Sequence, residues 1–225
     1  MIDRLLRLLF PPKCVLCRDL LNDRQTDLCH HCRTNVPNFT KIKFKPSFVA
    51  RFTGVWYYKD DVRHSLLRYK FGNKRHYASA YARMLAIKLQ TEGMDNFDVL
   101  TWVPVGSLRR LVRGYDQVKL LAQALGYELN VTPIRTLQKI RNTPPQSGIP
   151  DASRRRANVL GAYRPVNVSE FKGKRILLLD DILTTGATAS ECSRVLLTAG
   201  ASEVTLAVLA VASYNQSNNV AKKRS

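Results

Sequence analysis

Cys14 and Cys17 stand in a CxxC pair, Cys29 and Cys32 form a second, and eleven residues lie between the pairs. Thiolates at this spacing form two knuckles that can close tetrahedrally on one Zn²⁺. Ordinary core cysteines would not come paired, and two disulfides are disfavoured in a chain expected to stay in a reducing compartment. His30 and His31 fall inside the second knuckle. Four thiolates already complete the ligand set, so both are expected to be outer-sphere or exposed. A site closed by four protein ligands has no open coordination position, so the zinc is expected to be structural rather than catalytic. The fifth thiol, Cys192, is expected to pack in the core.

The second set is Asp180 and Asp181, followed by Thr184, Thr185, Gly186, Ala187 and Thr188. Two adjacent carboxylates offer acceptors to sugar hydroxyls. A turn with three hydroxyls and a glycine lets the backbone approach an anion and present N–H groups at a helix start. The stretch is a phosphate and ribose site in prospect. An acid cluster that merely caps a helix on an ordinary Rossmann-like strand is the alternative reading.

The elements that must position these residues follow from hydrophobic patterning. Ile176 to Leu179 are continuously apolar, as in a parallel strand buried on both faces. Ala189, Cys192, Val195, Leu196 and Ala199 recur at helical spacing up to Gly200, and Val204 to Val211 are apolar again. This βαβ unit puts the acid pair and the turn at the carboxyl end of a strand, where open parallel sheets bind ligands. The loop is neither a Walker loop nor a GxGxxG turn. A second such strand, Asp98 to Val103, leads through Pro104 and Val105 into a loop over residues 106–117. Arg109, Arg110 and Arg113 on that loop form another anion-attracting position, or else a solvated charge cluster.

The remaining segments are read in chain order. Ile2, Leu5, Leu6 and Leu9 predict a short amphipathic helix ended by Pro11 and Pro12. Residues 35–47 read as a linker. Phe52 to Tyr58 predict a strand, Asp61 to Gly72 a helix with Lys70 near its end, and Tyr77 to Leu89 another helix. Lys70 either complements the helix dipole or reaches a diphosphate. Residues 131–160, with Gln146, Gly148, Pro150 and the run Arg154, Arg155 and Arg156, are expected to be irregular. They would form either a hood over the site or a basic surface loop. The polar tail from Tyr214 is expected to be disordered. The expected domains are 1–47 for the N-terminal helix, zinc unit and linker, 48–213 for the α/β domain, and 214–225 for the basic tail.

The balance of 36 Lys and Arg against 17 Asp and Glu gives a formal charge of +19, which favours an anionic partner such as nucleic acid, nucleotide or acidic protein. The sequence has no run apolar enough to span a bilayer and no cleavable signal pattern, so the expectation is a cytoplasmic protein without a membrane span.

Leu179-Asp-Asp-Ile-Leu-Thr-Thr-Gly-Ala-Thr188 resembles the phosphoribosyl pyrophosphate (PRPP) signature of type I phosphoribosyltransferases. With the CxxC pairs, Tyr69-Lys-Phe-Gly72, Val103-Pro-Val105, Arg113-Gly-Tyr-Asp-Gln117 and the Gln146 to Asn158 region, nearly the whole chain resembles the ComF/GntX family. The resemblance implies a Rossmann-like type I phosphoribosyltransferase parallel sheet behind a small four-cysteine zinc-binding domain. It assigns Asp180 and Asp181 to ribose and Thr184, Thr185, Gly186, Ala187 and Thr188 to the 5′-phosphate, with Mg²⁺ accompanying PRPP. Lys70, Val105 and Arg113 join the PRPP residues. The family links to natural competence and DNA uptake, and implies as partners single-stranded DNA and a cytoplasmic DNA-translocating helicase of the ComFA type. Arg109, Arg110, Arg154, Arg155 and Arg156 are the expected nucleic-acid contacts, with Tyr57 and Tyr115 as stacking aromatics. Purine-type members of the superfamily carry a general-base Asp where this chain has Thr184, while the orotate type has Thr. A phosphoribosyl-transferring enzyme and a non-catalytic PRPP- or DNA-binding adaptor both fit, and the sequence names no catalytic base.

Overall fold

A computed structural model of the chain describes residues 11–40, 45–143 and 152–212. The expected N-terminal helix, the Gln146 to Pro150 part of the hood and the tail from residue 214 lie outside the described residues.

Four parallel strands form the main sheet, in the order β1 (Arg51–Tyr57), β6 (Glu203–Val211), β5 (Arg175–Leu183), β2 (Val99–Trp102). Side chains alternate across a strand, and β5 shows why its run is continuously apolar. Leu177 and Leu179 enter one core with Leu85, Leu89, Leu121 and Leu125 of α3 (Tyr77–Thr91) and α5 (Gln117–Glu128). Ile176 and Leu178 enter the other with Cys192, Val195 and Leu196 of α8 (Ala187–Thr198). The sheet is thus covered on both faces, as a parallel sheet requires. Cys192 is fully buried, in line with its expected packing role.

Successive connections leave the carboxyl edge toward opposite faces. The chain after β5 turns into α8, while the chain after β2 runs to α5 on the other face. A crevice between two strands whose connections diverge is where open α/β sheets bind ligands.

The zinc unit is joined to this body rather than tethered beside it. Cys14, Val15, Leu16 and Leu28 share the core that contains Trp56, Leu66 and Tyr81. Arg83 of α3 grips Asp27 with two hydrogen bonds of 2.6 and 2.7 Å.

Three sequence expectations change. Residues 107–113 are helical, forming α4 (Ser107–Arg113). Leu111 and Val112 are 83% and 82% exposed, so neither anchors this helix in a core. It closes instead on Gly114, whose left-handed φ of 75° lets its N–H reach the Arg110 carbonyl. The stretch expected to be irregular contains β3 (Leu137–Lys139), which pairs with β4 (Tyr163–Pro165), and α6 (Ala152–Val159), and the short α7 (Val168–Phe171) follows β4. The Arg154 to Arg156 run is therefore on a helix that packs against α8, not on a loop. Tyr115 and Tyr57 are not exposed stacking platforms. Tyr115 is buried with its hydroxyl donated to the Tyr69 carbonyl, and half-buried Tyr57 packs edge-on to Phe39 at 5.5 Å.

Candidate functional site

The thiolate cluster is built by two local turns. The first knuckle is held by an N–H···O bond from Cys14 to Asp19 and a bridge between Lys13 and Leu20. The second opens α1 (His30–Asn35), with Cys29 at its N-cap accepting the Cys32 N–H at 3.4 Å. All four Sγ atoms lie within 4.8 Å of one another, with Cys17 and Cys29 3.5 Å apart. Tetrahedral Zn–S bonds of about 2.3 Å set the sulfurs roughly 3.8 Å apart, so the cluster fits one structural Zn²⁺. Burial pushes the Cys17 thiol up to about 12; its contacts with Asp19 act in both directions, and the Cys29 and Cys14 sulfurs raise it further. A metal ion reverses that preference. His30 and His31 are exposed and outside the cluster.

The acid pair sits in the carboxyl-terminal half of β5, and strand alternation sends the two side chains to opposite faces. Asp181 shares the parity of Leu177 and Leu179 and is buried, 6% exposed. Lys70 Nζ, from the last turn of α2 (Asp60–Phe71), donates to its Oδ1 at 2.9 Å. Gln117 Nε2, at the start of α5, donates to its Oδ2 at 2.8 Å. Burial alone would raise the Asp181 carboxyl, but the Lys70 charge and the Gln117 bond outweigh it and hold it below the usual range.

Asp180 points the other way and remains partly exposed. Its Oδ1 accepts the Asp181 N–H at 2.8 Å. Enclosure by protein and the adjacent negative charge push its carboxyl up to about 7, although Lys70 and Lys139 pull it down. One member of the pair is thus firmly ionised while the other is poised near neutrality.

Beyond the acids, Thr184 is exposed and Thr185 and Thr188 are half-buried. Gly186 takes a left-handed φ of 75°, turning the chain into α8, and no side chain caps that helix. The first-turn N–H groups of a helix need partners from outside it, and their dipole favours an anion. Gly186 and Ala187 are buried, so the turn is compact rather than open.

The β2 side supplies the opposing wall. Val105 is half-buried, and its N–H approaches Asp116 Oδ2 at 3.4 Å. The other Asp116 oxygen caps α5 through Val118 and Lys119 at 3.1 and 2.9 Å. Arg113 stacks over the Phe71 ring at 4.7 Å, and its charge is felt at Asp181. Arg110 is exposed on α4. Of the remaining arginines, Arg154 is exposed and Arg155 half-buried on α6, whereas the side chains of Arg109 and Arg156 lie outside the described residues.

The structure brings Lys70, Asp181, Asp180 and the Thr184 to Thr188 turn together, with Arg113 close by. Two residues that sequence reasoning missed belong to the same surroundings. Gln117 follows the helix-capping Asp116, and nothing in its spacing announces that it turns inward. Lys139 of β3 donates to Thr143 Oγ1 at 2.9 Å, and its charge is felt at Asp180. A side chain on Gly106 would meet Lys139 Cδ at 3.7 Å and Asn142 Oδ1 at 3.0 Å, so this hairpin closes on the loop after β2. A three-residue strand offers no period from which Lys139 could have been placed.

Comparison with known proteins agrees with this architecture. Residues 80–224 match the family described as phosphoribosyl transferase domain, and residues 5–42 match the double zinc ribbon domain. Competence protein F of Haemophilus influenzae is 27% identical over 85% of this chain and 93% of its own length. Competence protein ComFC of Streptococcus pneumoniae is 26% identical, over 85% of this chain and 96% of its own length. The DNA utilization protein YhgH of Salmonella typhimurium is 32% identical over 60% of each chain. Among solved structures, glutamine PRPP amidotransferase from B. subtilis aligns at 21% identity and a TM-score of 0.44, over 63% of this chain and 30% of that one. With a parallel sheet whose acid pair and uncapped helix start lie at its carboxyl edge, and a pair of cysteine knuckles ahead of it, the chain belongs to the phosphoribosyl transferase domain family and carries a double zinc ribbon.

Proposed function

We propose that the chain binds PRPP with Mg²⁺ at the carboxyl edge of β5 and β2 and serves DNA uptake in natural competence, in the cytoplasm. The observation that carries this reading is the pairing of Asp180 and Asp181 with the uncapped start of α8 at one strand end. The carboxylates would accept ribose hydroxyls, and the N–H groups of the turn from Thr184 to Thr188 would hold the 5′-phosphate. Lys70 and Arg113 would face the diphosphate. The competence names of the relatives, together with the basic side chains of Arg110, Arg154 and Arg155, support single-stranded DNA as the macromolecular partner and a ComFA-type helicase as its source.

The test is calorimetry of PRPP with Mg²⁺ against the wild type and an Asp180→Asn/Asp181→Asn variant. Charge-assisted hydrogen bonds contribute roughly 1.5–3 kcal/mol each, so the variant should bind at least about tenfold more weakly. Equal affinity would remove the acids from the site.

A non-catalytic adaptor is the second reading, and two observations favour it. Thr184 occupies the position where purine-type enzymes carry their base, and both Asp181 oxygens are already engaged by Lys70 and Gln117. Pyrophosphate release on adding nucleobases or oligonucleotides separates the two, since an adaptor releases none.

A further inference from the structure

The zinc ribbon and the acid pair are joined by a single helix. At the near side of α2, the Ser65 hydroxyl donates to the Val15 carbonyl, and Arg68 Nη2 donates to the carbonyls of Val15, at 3.2 Å, and Leu16. Val15 and Leu16 are the two residues between Cys14 and Cys17, so the directions of their carbonyls are set by how that knuckle closes on its metal. Because a carbonyl can only accept, the Ser65 proton is committed to Val15, and the Tyr81 hydroxyl must be the donor in its 2.6 Å bond to Ser65 Oγ. This node is buried: Ser65 and Tyr81 are both fully inaccessible.

At its far end the same helix reaches the site. Tyr69, four residues beyond Ser65 and so on the same face, donates its hydroxyl to the Gln117 carbonyl at 2.6 Å. Its own carbonyl accepts from Tyr115. Lys70, the next residue, makes the 2.9 Å ion pair with Asp181, whose other oxygen is held by the Gln117 amide. Tyr69 and Tyr81 meet edge-to-face at 5.3 Å, closing the space between the two ends. An α-helix translates by 1.5 Å and turns by 100° per residue. A helix seated one residue out of register would carry Lys70 away from Asp181.

We propose that the thiolate knuckle is a positioning part of the acid-pair site. Ser65 and Arg68, gripping the Val15 and Leu16 carbonyls, fix the register of α2 from which Lys70 and Tyr69 hold Asp181 and Gln117. Ser65 and Arg68 are positioning residues, since neither touches the acids. Occupancy of the ribbon by zinc then governs the order of the donor pocket as well as that of the ribbon itself. The ligand-affinity consequence rests on the PRPP reading above, whereas the structural consequence does not.

The experiment uses the full chain with zinc bound, in wild type, Arg68→Met, Arg68→Lys and Ser65→Ala, together with wild type stripped by a chelator. Zinc content by elemental analysis and thermal melting establish which samples keep metal and fold. Hydrogen–deuterium exchange then reads amide protection at residues 66–72, 115–118 and 179–183, and calorimetry reads PRPP affinity. Arg68→Met should keep its zinc and its sheet protection but lose protection at all three segments, and bind PRPP about tenfold more weakly. Arg68→Lys, which retains one donor, should recover part of both. The chelated wild type should reproduce the Arg68→Met exchange pattern. A role confined to packing would lower the melting temperature of Arg68→Met and Arg68→Lys alike without a local exchange signature. Unchanged exchange at residues 66–72 and 179–183 in zinc-loaded Arg68→Met, or in Ser65→Ala where Arg68→Met does not fold, overturns the proposal. If the wild type itself fails to bind PRPP, the ligand reading falls and the exchange data alone decide whether the ribbon positions α2.

Discussion

Asp180 and Asp181 are chemically alike and adjacent, yet the fold makes them different acids. Asp181 meets Lys70 and Gln117 and stays ionised, while Asp180 shares its surroundings with that charge and titrates near 7. The sign of the consequence follows directly. Below pH 7 free Asp180 is mostly protonated. A ligand whose hydroxyls donate to it, accompanied by a divalent cation, favours the ionised form and so lowers its pKa on binding. PRPP binding should therefore release up to one proton near pH 6, and affinity should rise with pH until about 7 and then level off. Calorimetry in two buffers of different ionisation enthalpy measures that proton. Zero release at pH 6, with Asp180→Asn showing the same pH profile, would mean that Asp180 does not contact the ligand.

The zinc ribbon is the element whose stability depends most on something other than its own burial. Its knuckles are short turns, and the apolar side chains it contributes, Val15, Leu16 and Leu28, complete a core that belongs to the sheet. Structural zinc supplies folding free energy that so small a segment cannot gather from packing. Cys14→Ser and Cys32→Ser should each reduce zinc from about one equivalent to near zero and lower the melting temperature, because the same core holds Trp56 and Leu66. Elemental analysis with calorimetric melting checks both. A variant that loses zinc yet melts with the wild type would show the ribbon to be an independent appendage. The Arg83 grip on Asp27 is a half-exposed ion pair and by itself contributes little.

For the molecule taken together, the formal charge of +19 is the dominant long-range feature. Contacts between such a surface and nucleic-acid phosphates release counterions. Affinity for a single strand should then fall linearly in log–log with salt, by about 0.7 per contact, and depend little on base sequence. Fluorescence anisotropy with labelled oligonucleotides at several salt concentrations tests this, with Arg154→Ala/Arg155→Ala/Arg156→Ala as the comparison. The triple variant should show a slope smaller by about two, at about 0.7 for each of three lost contacts. An identical slope would place the nucleic acid elsewhere on the chain, and no binding near 50 mM salt would turn the charge toward an acidic protein partner.

The sequence by itself determined the thiolate cluster and the central βαβ unit that carries the acid pair, because their signals are local. Ligand spacing is a property of a few residues, and the apolar run of β5, the α8 stripe and the Gly200 stop need no distant partner to be read. It also determined the fold family, since Leu179 to Thr188 packs strand, acids and turn into one stretch. Tertiary structure decided what those residues face. That Lys70, at a helix end 111 positions before Asp181, pairs with that acid rather than only with the helix dipole is a consequence of how the fold seats α2. That Gln117 turns inward, that Tyr115 is buried, and that α4 forms with Leu111 and Val112 in solvent are likewise outcomes of packing and capping. The physical reason is common to all of them. Hydrophobic periodicity reports which face of an element is buried, but a polar side chain takes its role from groups brought near it by folding, and those groups lie far away in the chain.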